Sequence, residues 1–102
     1  MASETKKSTR ERHSCLLIVE DDAQQLHTLT DIMEDEGFDV TGCSSAVEAM
    51  QHIESQGFGV AIVDYLLPDQ SGDRLFESIR SMSKRTRVIT QKRQVVRWNP
   101  VW

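Results

Sequence analysis

CLLIVEDD, residues 15–22, decides how this chain is read. An apolar run from Cys15 to Val19, rich in branched side chains, ends abruptly in three acids, Glu20, Asp21 and Asp22. The run is too short for a helix, and a strand buried on both faces has this unbroken pattern. Asp22 has the chemistry of an N-cap for whatever follows. GVAIVD, residues 59–64, repeats the arrangement: an apolar run over 59–63, then a carboxylate, Asp64.

Between and beyond these runs the spacing becomes helical. Leu26, Leu29, Ile32 and Met33 recur at intervals of three and four, predicting a helix over 23–36 with these residues on one stripe. Gly37 stands where a C-cap glycine belongs. FDVTG, 38–42, alternates like a short strand. Ser44 or Ser45 can cap a second helix over 46–56, with Ala46, Ala49, Met50 and Ile53 inward and Gly57 ending it. After Asp64, YLLPDQSG holds Pro68 and Gly72 and reads as a loop. Leu75, Phe76, Ile79 and Met82 mark a third helix over 73–82, and TRVIT, 86–90, reads as a fourth strand.

The order is therefore β-α-β-α-β-α-β, which implies an α/β doubly wound parallel sheet with right-handed crossovers. In such sheets chemistry collects at the carboxyl ends of the strands. Glu20, Asp21 and Asp22 stand after strand 1 and Asp64 after strand 3; the two ends are neighbours if those strands pair.

Composition fits one domain. The chain has 102 residues, 38% hydrophobic and 27% charged, which suits a globular protein. No apolar run approaches the roughly 20 residues of a membrane span. MASETKKSTRERHS has no apolar core of a secretory signal, and residues 1–14 read as a disordered lead. A cytoplasmic location is expected, with Cys15 and Cys43 reduced and forming no CxxC pair. His13, His27 and His52 fall in the lead or on helix surfaces and read as solvated. Charge is divided: residues 14–83 carry fourteen acids against Arg74 and Arg80, whereas residues 84–102 carry six cations and no acid.

Clustered carboxylates repel one another and are most easily kept ionised around a hard cation. Oxygen-only ligation points to Mg²⁺ or Mn²⁺ rather than zinc. A carboxylate is also a competent nucleophile toward phosphorus, giving an acyl phosphate. An Asp at one strand end, beside an acidic pair at the next, thus suits phosphoryl transfer. Capping alone accounts for Asp22.

These motifs resemble the receiver domains of two-component response regulators. LLIVEDD is similar to that family's first strand and acidic pair. DYLLPDQSG, with Asp64, Pro68 and Gly72 in the family's spacing, is similar to its phosphorylation loop, and EDEGFDV to its helix 1–strand 2 junction. The resemblance covers about residues 15–90. It implies a flavodoxin-like fold, with Asp64 as phospho-acceptor and a sensor histidine kinase as phosphohistidine donor. It implies Mg²⁺ held by Asp21, Asp64 and the backbone carbonyl of Leu66, with Glu20 acting through water. The chain would phosphorylate and dephosphorylate itself without being a conventional enzyme.

The resemblance breaks toward the end. The family has a Thr or Ser at the end of strand 4; Thr90 is the nearby hydroxyl and by spacing arrives a few residues early. The Lys that the family carries after strand 5 has no counterpart, and Lys92 stands at the wrong place. Residues 91–102 form an atypical basic tail with both tryptophans. The fold is therefore expected to be incomplete, about four strands and three helices with the last strand and helices missing. Strand 4 would be an open edge beside an uncovered sheet face, inviting self-association, with Val95, Val96 and Trp98 available to cover part of it. The competing reading is a degenerate receiver acting as a non-phosphorylated protein-binding module. Nucleic-acid binding by the tail is not expected, since no reading domain accompanies it.

Overall fold

A computed structural model describes residues 14–91. Its strands are β1 (Cys15–Val19), β2 (Asp39–Cys43), β3 (Val60–Asp64) and β4 (Arg87–Gln91). Its helices are α1 (Ala23–Asp35), α2 (Ala46–Ser55) and α3 (Gly72–Met82). The strands form one parallel sheet in the order β2-β1-β3-β4. β1 thus lies in the middle, and all five of its residues are buried, as its unbroken apolar run requires. Residues 1–13 of the predicted lead and 92–102 of the predicted basic tail, with Lys92, Val95, Val96 and Trp98, lie outside the described residues; Gln91, assigned to that tail, instead ends β4.

Alternation along the strands sorts their side chains between two faces. Cys15, Leu17, Val19, Ala61 and Val63 join Ala46, Ala49 and Ile53 of α2 and Leu75 and Ile79 of α3 in the main core. Leu16 and Ile18 point the other way and are equally buried. There α1 packs on β1 and β2, and Leu26 of α1 touches the Gly42 position of β2. Helices on both faces make the sheet doubly wound, in the flavodoxin-like order.

Local chemistry sets the helix starts. Asp22 accepts from the Gln24 and Gln25 N–H groups, Ser45 from Glu48 N–H and Ser71 from Arg74 N–H. Gly37 follows α1 with φ of +99°, a left-handed turn that favours glycine. Gly57 does not play that part for α2, whose cap is Gln56 in extended backbone. Gly72 opens α3 rather than closing the loop before it.

The apolar stripe of α1 is covered only in part. The helix has no buried residue: Leu26, Leu29 and Met33 are only half-buried, and Ile32 is 49% exposed. Among the described residues α1 is the only helix on its face, so its flanks meet water. Met82, the last residue of α3, is likewise exposed. On the α1 face Val60 and Ile62 of β3 are partly covered and Ile89 of β4 is 53% exposed. Apolar periodicity identifies a side that prefers burial; actual burial also needs a neighbour.

Candidate functional site

Parallel pairing sets Val19 beside Val63, so β1 and β3 end at nearly the same level. Glu20 follows Val19 directly, and Asp64 is the last residue of β3. The consequence is a carboxylate cluster. One oxygen from each of Glu20, Asp21 and Asp64 lies within 4.8 Å of the other two. Glu20 and Asp64 are each 2% exposed, whereas Asp21 is open to solvent. The cluster is therefore fixed at its base and reachable from outside.

Backbone groups orient these side chains. Glu20 N–H donates to the Cys43 carbonyl at 3.0 Å, tying the end of β1 to β2. The Glu20 carboxylate accepts from Asp22 N–H at 3.1 Å, while the Asp22 side chain caps α1. Asp22 thus takes its structural role and stays out of the cluster. Asp64 Oδ1 accepts from Leu66 N–H at 3.4 Å. Tyr65 N–H donates to the Gln91 carbonyl at 2.8 Å, and Gly72 N–H to the Tyr65 carbonyl at 2.7 Å. Leu66 also bridges to Ser71, closing the base of the β3–α3 loop.

Thr90 pairs with Val63, one position short of Asp64, whose partner across the sheet is Gln91. Its side chain is half-buried. The fourth strand therefore supplies Gln91, not Thr90, at the level of the acidic cluster.

Sequence reasoning missed Asp69. Its Oδ1 accepts from Ala46 N–H at 2.9 Å and its Oδ2 from Val47 N–H at 3.0 Å, across a separation of more than twenty residues. These donors, Ala46 first, hold its carboxyl below the ordinary value of 3.8. Asp69 thus joins the β3–α3 loop to the amino end of α2. The sequence marks Gly72 as a loop breaker and as part of the family's loop spacing, but not the close approach that requires it. A Cβ there would meet the Asp64 carbonyl oxygen at 2.5 Å, so glycine lets α3 start against the end of β3. The LPD stretch was the available signal for Asp69, but a loop acid does not announce which helix it reaches.

The cluster suits a hard divalent cation. Its donors are oxygens only, three acids approach one another closely, and a cation relieves their mutual repulsion. A doubly wound parallel domain with acids at the ends of β1 and β3 belongs to the class that binds its ligands at strand carboxyl ends.

Comparison with known proteins narrows this class. Residues 16–95 match the response regulator receiver domain family, and the chain belongs to it. It is 31% identical over 70 residues to the transcriptional regulatory protein CpxR homolog of Haemophilus influenzae, covering 69% of this chain and 30% of that protein. It is 30% identical over 73 residues to the CAI-1 autoinducer sensor kinase/phosphatase CqsS of Vibrio cholerae, covering 71% of this chain and 11% of that one. A CheY-like response regulator receiver domain from Methanospirillum hungatei superimposes with a TM-score of 0.74 at 32% identity, covering 76% of this chain and 62% of that structure. The chain thus spans under a third of these two curated relatives.

Proposed function

We propose that this domain is the phospho-acceptor of a two-component phosphorelay, with Asp64 as the residue modified. The observation that carries the reading is the convergence of Glu20, Asp21 and Asp64 within 4.8 Å at the ends of adjacent strands. Asp21, Asp64 and the Leu66 carbonyl would hold Mg²⁺, with Glu20 acting through water. When bound, the ion supplies the positive charge that a transferring phosphoryl group requires.

The chain's own part is nucleophilic. An Asp64 carboxylate oxygen forms a bond to phosphorus as the P–N bond of the donor phosphohistidine breaks. Strand β3 and the Tyr65–Gln91 bond hold Asp64 in place during this step. A sensor histidine kinase is the proposed donor, and the chain itself promotes transfer and later hydrolysis without turning over a separate substrate. Such a donor implies a cytoplasmic location; no helix among the described residues is long and apolar enough to cross a membrane. A non-phosphorylated binding module has no need of the three converging acids, so the phospho-acceptor reading is preferred. The exposed Ile89, beside Ile62 on the α1 face, is the surface proposed for self-association. Sedimentation at rising concentration measures it, and an unchanging monomer would exclude it.

The test is intact-mass analysis after incubation with a small phosphodonor and Mg²⁺. One phosphoryl group is expected, stable in acid, released by base and absent from Asp64→Asn. Uptake that survives in Asp64→Asn, or none in the unsubstituted chain, refutes the reading.

A further inference from the structure

We infer that Asp69 is a positioning residue for the metal site, pinning the β3–α3 loop to α2 and thereby fixing the Leu66 carbonyl. This inference rests on the proposed function, because it concerns a carbonyl that matters only if the site takes a cation.

The loop is secured unevenly. Its base is closed by the Tyr65–Gly72 and Leu66–Ser71 contacts. Leu66 itself is 50% exposed, so burial does little to hold it. Beyond it, Leu67 packs against the main core, and Pro68 is exposed. Asp69 then supplies the polar anchor, with both carboxylate oxygens engaged by consecutive N–H groups of α2. These donors are among those that a helix leaves unsatisfied at its start, and they favour negative charge there. The peptide carrying the Leu66 carbonyl is therefore held between the sheet, through Asp64 and Tyr65, and α2, through Asp69. Releasing the second hold allows that peptide to turn while leaving the three carboxylates where they are.

Helix α2 provides a built-in control. Ser45 caps the same helix by accepting from Glu48 N–H but does not belong to the loop. Asp69→Ala and Ser45→Ala both remove capping bonds from α2, and only the first frees the loop. Mg²⁺ affinity of the full chain is measured by calorimetry, with Mn²⁺ as a paramagnetic second probe. Circular dichroism and urea midpoints follow the fold.

Asp69→Ala is expected to weaken Mg²⁺ binding roughly tenfold, the low end for partners that orient ligands from outside the coordination sphere. Ser45→Ala is expected to leave the affinity unchanged while still lowering the urea midpoint. Asp69→Asn retains one acceptor oxygen and should recover part of the loss; it also carries the comparison if Asp69→Ala does not fold. Equal weakening in the Ser45 and Asp69 variants would reduce Asp69 to a helix cap and overturn the inference. So would unaltered affinity in both Asp69 variants, with the proposed function intact. An unsubstituted chain that takes up no Mg²⁺ overturns both.

Discussion

Replacing Gly72 by alanine sets two calculable effects against each other. Gly72 is the first residue of α3, and its φ is not in the left-handed region. Alanine there should therefore gain about 0.5–1 kcal/mol through helix propensity and a less flexible unfolded chain. Packing opposes this gain. The new Cβ would stand 2.5 Å from the Asp64 carbonyl oxygen, 2.8 Å from Tyr65 Cα and 3.1 Å from the Asp64 carbonyl carbon. Comfortable separation between carbon atoms is about 3.5–4.0 Å, so α3 must retreat from β3 by roughly 1 Å.

All three obstructing atoms are backbone, and no rotamer change relieves them. Overpacking of this kind costs about 1–3 kcal/mol, and three unyielding contacts put it toward the upper half, about 2–3, so the clash wins and a net loss of about 1–2.5 kcal/mol is expected. The obstructing atoms belong to Asp64 and Tyr65, so Mg²⁺ affinity should fall with stability. Urea unfolding and calorimetry measure the two effects. Gly37→Ala separates them: its cost comes from φ of +99° with nothing within 4 Å. It should lose about 1 kcal/mol and keep the affinity, because it lies at the opposite edge of the sheet. A Gly72→Ala protein as stable as the unsubstituted chain would refute the claim that α3 is wedged against Asp64.

Thr86 is 3% exposed and donates through its hydroxyl to the Phe58 carbonyl at 2.8 Å; Thr86→Val keeps the shape, leaves that carbonyl unpaired, and should cost about 1–3 kcal/mol in urea unfolding. Cys43 is a buried thiol whose pKa is pushed up from an ordinary 9.0 to about 12, by burial first and then by the charge of Glu48. Its folded value exceeds its unfolded one, so stability should be intact below pH 9.0 and fall as pH rises toward about 12. Thermal melts across that window check the sign, and a thiol reagent at neutral pH should react with Cys43 only as fast as the protein opens.

The parts legible in the sequence depended on short-range patterns. β1 could be recognised because five consecutive apolar residues have nowhere to go except the middle of a sheet. Glu20, Asp21 and Asp64 could be grouped because strand ends in a parallel sheet share one edge. The illegible parts required knowledge of neighbours. The stripe of α1 looks like that of α2, yet Ala46, Ala49 and Ile53 are buried while Ile32 is half exposed. The difference lies in what packs beside each helix. Gly57 and Gly72 are alike as letters, but a contact with backbone fixes one and an extended cap precedes the other. Asp69 was hidden for the same reason: its partners are adjacent only after α2 and the β3–α3 loop meet.

Those hidden contacts explain why the acidic edge can hold a defined shape although its acids repel. Three separate elements grip the segment after Asp64. β4 holds it through Gln91 and Tyr65, α3 through Gly72 and the Asp64–Tyr65 backbone, and α2 through Asp69. The first two rely on backbone groups and tolerate most side-chain changes, apart from a side chain at Gly72. The third relies on one carboxylate, which takes its charge away from the cluster and uses it on the dipole of α2. An acid placed five residues after Asp64 thus tightens the loop without adding to the repulsion among Glu20, Asp21 and Asp64. This division of labour among the acids follows from where each one ends up: Asp22 and Asp69 face helix starts, and Glu20, Asp21 and Asp64 face one another.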